Sequence, residues 1–97
     1  MIRSQAIKDS ARDEVCTVHS DFCTGTGVVW AHSNLQIHGK GTGLKAHDIF
    51  GCYACSNCHA WLDEGNASRE EKMLAFYRAM SRSWLRLVER GIIKVKA

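Results

Sequence analysis

Residues 54–63 read Ala54-Cys55-Ser56-Asn57-Cys58-His59-Ala60-Trp61-Leu62-Asp63. Two cysteines separated by two residues make a knuckle that turns both thiolates toward one ion. A second, wider pair, Cys16-x6-Cys23, lies upstream. Together the pairs offer four soft ligands from two segments, the set that a tetrahedral zinc takes. Two alternatives overlap this reading: Cys52-x2-Cys55 shares the knuckle, and Cys16-x2-His19 replaces part of the first pair. With Cys16, Cys23, Cys55 and Cys58 as ligands, Cys52 is the spare, which accounts for an odd count of five. Four protein thiolates leave no open position for water or substrate, so such a zinc is structural. It also supports a small core that is marginal alone.

The elements follow outward from the knuckle. Ile49–Ala54 is expected to be a strand entering it, and residues 56–64 a short helix leaving it, ended by Gly65-Asn66. Val28-Val29-Trp30-Ala31-His32 is β-branched and aromatic and predicts another strand. Thr24 to Gly27 reads as a turn and Gly39 to Gly43 as a flexible loop. Ser4 to Asp13 predicts a short polar helix. Downstream, Ser68-Arg69-Glu70-Glu71 is a capping box. Apolar residues then recur at Met73, Tyr77, Met80, Trp84 and Leu87, with Leu74, Phe76, Leu85 and Val88 widening the stripe. This predicts an amphipathic helix of about six turns, stopped by Gly91. Ile92 to Val95 is expected to add a terminal strand.

Composition bounds the function classes. With 97 residues the chain is expected to be one domain, and 45% hydrophobic with 24% charged residues excludes wholesale disorder. The longest stretch free of charged residues, Phe22 to Gly39, is too polar to span a bilayer, and Met1 to Glu14 lacks the apolar core of a signal peptide. A soluble protein of a reducing cytoplasm is expected, where clustered cysteines bind metal more often than they pair. The net charge of +3 divides unevenly: residues 1–71 carry −3 and residues 72–97 carry +6. The C-terminal end therefore suits a polyanion.

A second constellation surrounds the knuckle. His59 and Asp63 stand four apart, so on a helix they share a face and a hard or borderline metal. His32 ends its strand just before a flexible loop, where an imidazole can activate water. In order, the chain has a cysteine pair, an apolar strand ending in Ala31-His32, the Gly-x-Gly-x-Lys segment Gly41–Lys45, Asp48, and Ala54-Cys55-Ser56-x-Cys58-His59. From about Ile7 to Asp63 this resembles the small phage and prophage nuclease family represented by YbcO, a zinc-ribbon variant of the HNH (ββα-metal) endonucleases.

The resemblance implies an α+β fold, a ββα-metal core with a structural four-cysteine zinc site, a short N-terminal helix and a long C-terminal one. It implies that His32 is the general base, that His59 is a metal ligand and that Asp63 takes the place of a further helix ligand. His38, His47 or Asp48 would complete the set around a divalent ion (Mg²⁺, Mn²⁺, Ni²⁺ or Zn²⁺), and Lys45 would contact the phosphate. Two departures stand out. The metal-binding residue usual before the base is Ala31, which cannot ligate, and the Asn that orients the base has no counterpart at the usual spacing. Asp48, His47 and Asn57 are the candidates for that orienting role. Arg78, Arg82, Arg86 and Arg90 recur every four residues and are expected to bind DNA phosphates. The expected function is a phage-type DNA endonuclease of the bacterial cytoplasm that uses no organic cofactor and no membrane. The alternative is a catalytically idle zinc-ribbon module that binds nucleic acid or protein.

Overall fold

The Val28–His32 run forms strand β1 and Gly51–Cys55 forms strand β2. In this computed structural model, which describes residues 1–96, the two pair antiparallel with Trp30 opposite Tyr53 and His32 opposite Gly51. β2 begins two residues later than the sequence suggests, because the Phe50 amide closes a turn onto the His47 carbonyl. Glycine is required at position 51: a Cβ there would lie 2.5 Å from Trp30 Nε1 and 2.8 Å from the Ala31 carbonyl oxygen.

A two-stranded sheet leaves an open edge on each strand, and here β2, buried along its whole length, has no water to satisfy it. Two residues from distant segments close the gap. Thr17 donates its amide and its hydroxyl to the Tyr53 carbonyl (2.9 and 2.8 Å), and Ser83 Oγ accepts the Tyr53 amide at 3.0 Å. Ser83→Ala is therefore expected to strand a buried N–H and to lower stability by about 1–3 kcal/mol. A urea midpoint shift without a change in slope would register it.

Helix α1 spans Gln5–Ser10 and tightens into a 3-10 turn over Ala11–Asp13, so the expected N-terminal helix exists in two pieces. Ahead of it, residues 1–4 form a strap laid along residues 45–48. The Ile2 amide donates to His47 Nδ1, the Asp48 amide to the Ile2 carbonyl, and Arg3 to the Ala46 and Lys45 carbonyls. Helix α2, Ser56–Glu64, leaves β2 without a break, because Cys55 is both the last strand residue and the helix N-cap.

Helix α3 runs Arg69–Glu89, with the Ser68 hydroxyl accepting the Glu71 amide at 3.1 Å. Gly91, at φ +72°, ends it in a Schellman turn whose Gly91 and Ile92 amides return to the Val88 and Leu87 carbonyls. Its buried face is Phe76, Ala79, Met80, Ser83 and Leu87. The apolar stripe read from the sequence is rotated against this face: Leu74 and Leu85 are more than half exposed. The expected terminal strand at Ile92–Val95 does not form. The Ile92 and Ile93 amides are held by Leu87 and the outer edge of β2 is taken, so these isoleucines only pack against the core. Among the described residues no helix is long and apolar enough to cross a membrane.

Candidate active site and metal centre

The four cysteines of the two pairs converge. Cys16, Cys23, Cys55 and Cys58 place one sulfur each within 4.8 Å of all the others, and all are free thiols. A zinc tetrahedron with bonds of about 2.3 Å has sulfur–sulfur edges of about 3.8 Å, so the donor set fits such an ion with small inward shifts. The upstream segment turns through His19, which holds φ +59° and lies exposed outside the cluster. The Cys23 amide closes onto the Ser20 carbonyl, and the Cys16 amide onto Gly25.

Amide donors are aimed at the sulfurs, as metal-bound thiolates require. Cys55 Sγ accepts from the Thr24 and Cys58 amides at 3.5 and 3.4 Å, and Ser20 Oγ lies 3.1 Å from Cys58 Sγ. Burial opposes ionisation of Cys55, yet these donors bring its pKa down to about 5. Burial pushes the Cys58 thiol up to about 12. Cys52 is also pushed up to about 12 by burial and stands outside the group, a buried small side chain as its position predicts.

The second constellation assembles on the other side of α2. His32 ends β1, and its Nε2 lies 2.7 Å from Asp48 Oδ1. Asp48 has a side chain only 1% exposed, and it also accepts the Ser4 amide at 2.6 Å and Arg3 at 3.2 Å. Burial raises its pKa, but the hydrogen bonds from His32 and Ser4 outweigh this and hold it below the ordinary carboxylate value. An ionised carboxylate only accepts, so His32 carries its proton on Nε2 and keeps Nδ1 as the basic nitrogen. Of the three candidates to orient His32, Asp48 does so; His47 accepts from Ile2, and Asn57 donates to the Phe22 carbonyl.

Asp48 contributes stability above its unfolded pKa of about 4 and loses it as the pH falls through the lower folded value. Melting temperature is therefore expected to drop below about pH 4, with a shallower acid limb in Asp48→Asn. Thermal melts of the two proteins across that range provide the check.

His59 and Asp63 face each other one turn apart, Nε2 to Oδ2 at 3.4 Å, and both are half exposed. Asn34, two residues beyond His32, donates to Asp63 Oδ1 at 2.7 Å. Asn34 escapes a sequence reading because an exposed loop asparagine has no distinctive spacing. His38 is not available to this group: it is buried, stacked on Phe50 at 4.3 Å, and paired through Nδ1 with Ser33. Burial lowers its pKa.

His32, Asn34 and His59 sit where two grooves meet. One groove continues past Asp63 to Arg69 and Lys72 at the start of α3; the other runs past Lys8 and Arg12 to Lys40 and Lys45. The arginine row of α3 has other partners. Arg86 makes a two-pronged pair with Glu14 (2.9 and 3.0 Å), Arg90 reaches Glu14 and the Ser10 carbonyl, and Arg82 donates to the Thr17 carbonyl. Arg86 foremost holds the Glu14 carboxyl below its usual pKa. Three of the four arginines thus fasten α3 to the N-terminal half of the chain.

This assembly, a strand ending in His32 beside a helix opening at the Cys55–Cys58 knuckle, agrees with a match over residues 5–92 to the family described as "Putative nuclease YbcO". The chain belongs to the YbcO family. A solved structure from Escherichia coli K-12 MG1655, described as that of a putative bacteriophage protein, shares the fold with a TM-score of 0.67. The two chains are 24% identical, and the likeness covers 87% of this chain and 98% of that one. No curated protein matches. Membership of the YbcO family gives a nuclease family name to a chain whose cysteine cluster is positioned to bind a metal.

Proposed function

We propose that this chain is a metal-dependent endonuclease of HNH type, of phage or prophage origin, that hydrolyses DNA phosphodiester bonds in the bacterial cytoplasm. The observation that carries the reading is the His32–Asp48 pair at the end of β1, across a groove from His59 and Asp63 on α2. The Cys16, Cys23, Cys55 and Cys58 cluster would hold a structural zinc that fixes the start of α2, and hence the position of His59.

His32 takes a proton from water at Nδ1, and Asp48 stabilises the resulting imidazolium through Nε2. His59 and Asp63 offer a nitrogen and a carboxylate to a second, exchangeable divalent ion, whose chemistry would be Lewis-acid stabilisation of charge on the phosphate and leaving oxygen. Asn34 fixes Asp63 through one carboxylate oxygen and leaves the other toward His59. Lys45, exposed on the groove beside His32, supplies positive charge to the phosphate.

A nicking assay on supercoiled plasmid with added Mg²⁺, Mn²⁺, Ni²⁺ or Zn²⁺ tests the proposal. Conversion to open circles that depends on the added ion supports it. One specific observation favours the second reading, an idle zinc-ribbon binding module. Ala31 cannot ligate, and among the described residues the four cysteines are the one group of three or more metal-binding side chains gathered around a point. Salt-sensitive DNA binding without cutting in any of the four ions would establish that reading and remove the first.

A further inference from the structure

The six basic residues of the −3 segment are Arg3, Lys8, Arg12, Lys40, Lys45 and Arg69. Arg3 is committed to Asp48. The other five, with Lys72, line the two grooves that meet at His32, Asn34 and His59. Arg12 touches Asp9 at 3.7 Å on an exposed helix turn; the remaining five make no ion pair among the described residues. The cations form two banks. Lys8, Arg12, Lys40 and Lys45 lie on one side of the histidines, and Arg69 and Lys72 lie on the other. Asp9 and Asp63 are the carboxylates along these walls. A single bound anion needs one cluster, whereas charges spread along both sides of a centre match a repeating anion that passes through it.

We infer that the two banks form one phosphate-tracking path, which holds the backbone of duplex DNA across the His32–His59 junction. The path runs from α1 and the Gly39–Gly43 loop to the first turn of α3, and it owes nothing to the Arg82–Arg86–Arg90 row. The inference rests on the nuclease reading for the identity of the polyanion, but not for any bond breaking. Long basic side chains in open grooves contact phosphate oxygens rather than base edges, so binding is independent of sequence and weakens steeply with salt. The acidic sum of residues 1–71 hides this surface. Asp48 and Glu14, two of its acids, have side chains no more than 5% exposed and are locked in internal pairs, while Lys8 and Lys45 are exposed.

Fluorescence anisotropy with a labelled duplex of about 20 base pairs, read across a salt series without added divalent ions, tests the path on the full chain in a His32→Ala background. Neutralising Lys8, Lys40 and Lys45 to glutamine is expected to flatten the slope of log affinity against log salt by about 2.7, and Arg69→Gln with Lys72→Gln by about 1.8. Lys8, Lys45 and Arg69 are exposed and Lys40 and Lys72 half-buried, and unchanged melting curves separate lost contacts from lost folding. A slope that neither set changes overturns the inference, as does a loss confined to one bank or one produced by Arg78→Gln alone. Because no cutting is read, failure of the nicking assay leaves this result standing, and failure here leaves the nicking result standing.

Discussion

Cys58→Ser is expected to abolish the cooperative unfolding transition of the whole chain, whereas Cys52→Ala is expected to leave it in place. Both residues are fully buried cysteines, so hydrophobicity does not separate them. What separates them is the sulfur cluster, which contains Cys58 and not Cys52. A four-thiolate zinc contributes about 10–16 kcal/mol of apparent binding free energy, comparable to or larger than the roughly 5–15 kcal/mol by which domains are stable. Removing one ligand also leaves three sulfurs without the fourth donor that closes a zinc tetrahedron. Here the damage spreads through Thr17, the residue after Cys16, which satisfies the outer edge of Tyr53 and gives its carbonyl to Arg82 of α3. Near-UV circular dichroism and bound zinc per chain measure the effect. A Cys58→Ser protein that melts cooperatively without zinc would refute the structural role of the metal.

The second large effect is on cleavage. His32→Ala is expected to reduce the nicking rate by about 10²–10⁴-fold while leaving DNA affinity within a few-fold of wild type. The imidazole is 15% exposed and its loss removes one hydrogen bond to Asp48, which keeps its bonds from Ser4 and Arg3. Folding is therefore retained. Asp48→Asn discriminates a positioning role from a purely structural one. The amide oxygen can still hold the ring, at the cost of the Ser4 bond that the second carboxylate oxygen took, but it no longer stabilises the imidazolium, so the pH at which the rate rises should move down relative to wild type. Rates of nicking between about pH 5 and pH 9 check both. Equal rates for wild type and His32→Ala would exclude His32 as the base.

Much of this was legible in the residues. Paired cysteines, a β-branched run ending in histidine, and Ser68 three residues before Glu71 are local signals, and each appears in the fold as sulfur cluster, strand and helix cap. What the residues left open or misplaced is long-range. Asp48 meets His32 from 16 residues away through a loop whose path no periodicity encodes. Glu14 pairs with Arg86 and Arg90 from more than 70 residues away, partners that a charge pattern along one helix does not announce. Ile92–Val95 has strand-forming composition, but a strand also needs a free neighbouring edge, and Thr17 and Ser83 occupy the one on β2. The rotated face of α3 has the same origin. Ser83 is buried because Tyr53 needs an acceptor, which a hydrophobic pattern does not register.

The strap formed by residues 1–4 also reaches the proposed chemistry. Ser4 and Arg3 supply two of the three donors to the Asp48 carboxylate, and Ile2 holds the loop that carries it. The proposed base is thus tuned by a four-residue segment that contributes little to the core. Substitutions in that strap are expected to separate a folded protein with an intact sulfur cluster from one whose proposed base is aligned. A preparation can therefore pass every test of structural integrity with its proton acceptor out of register.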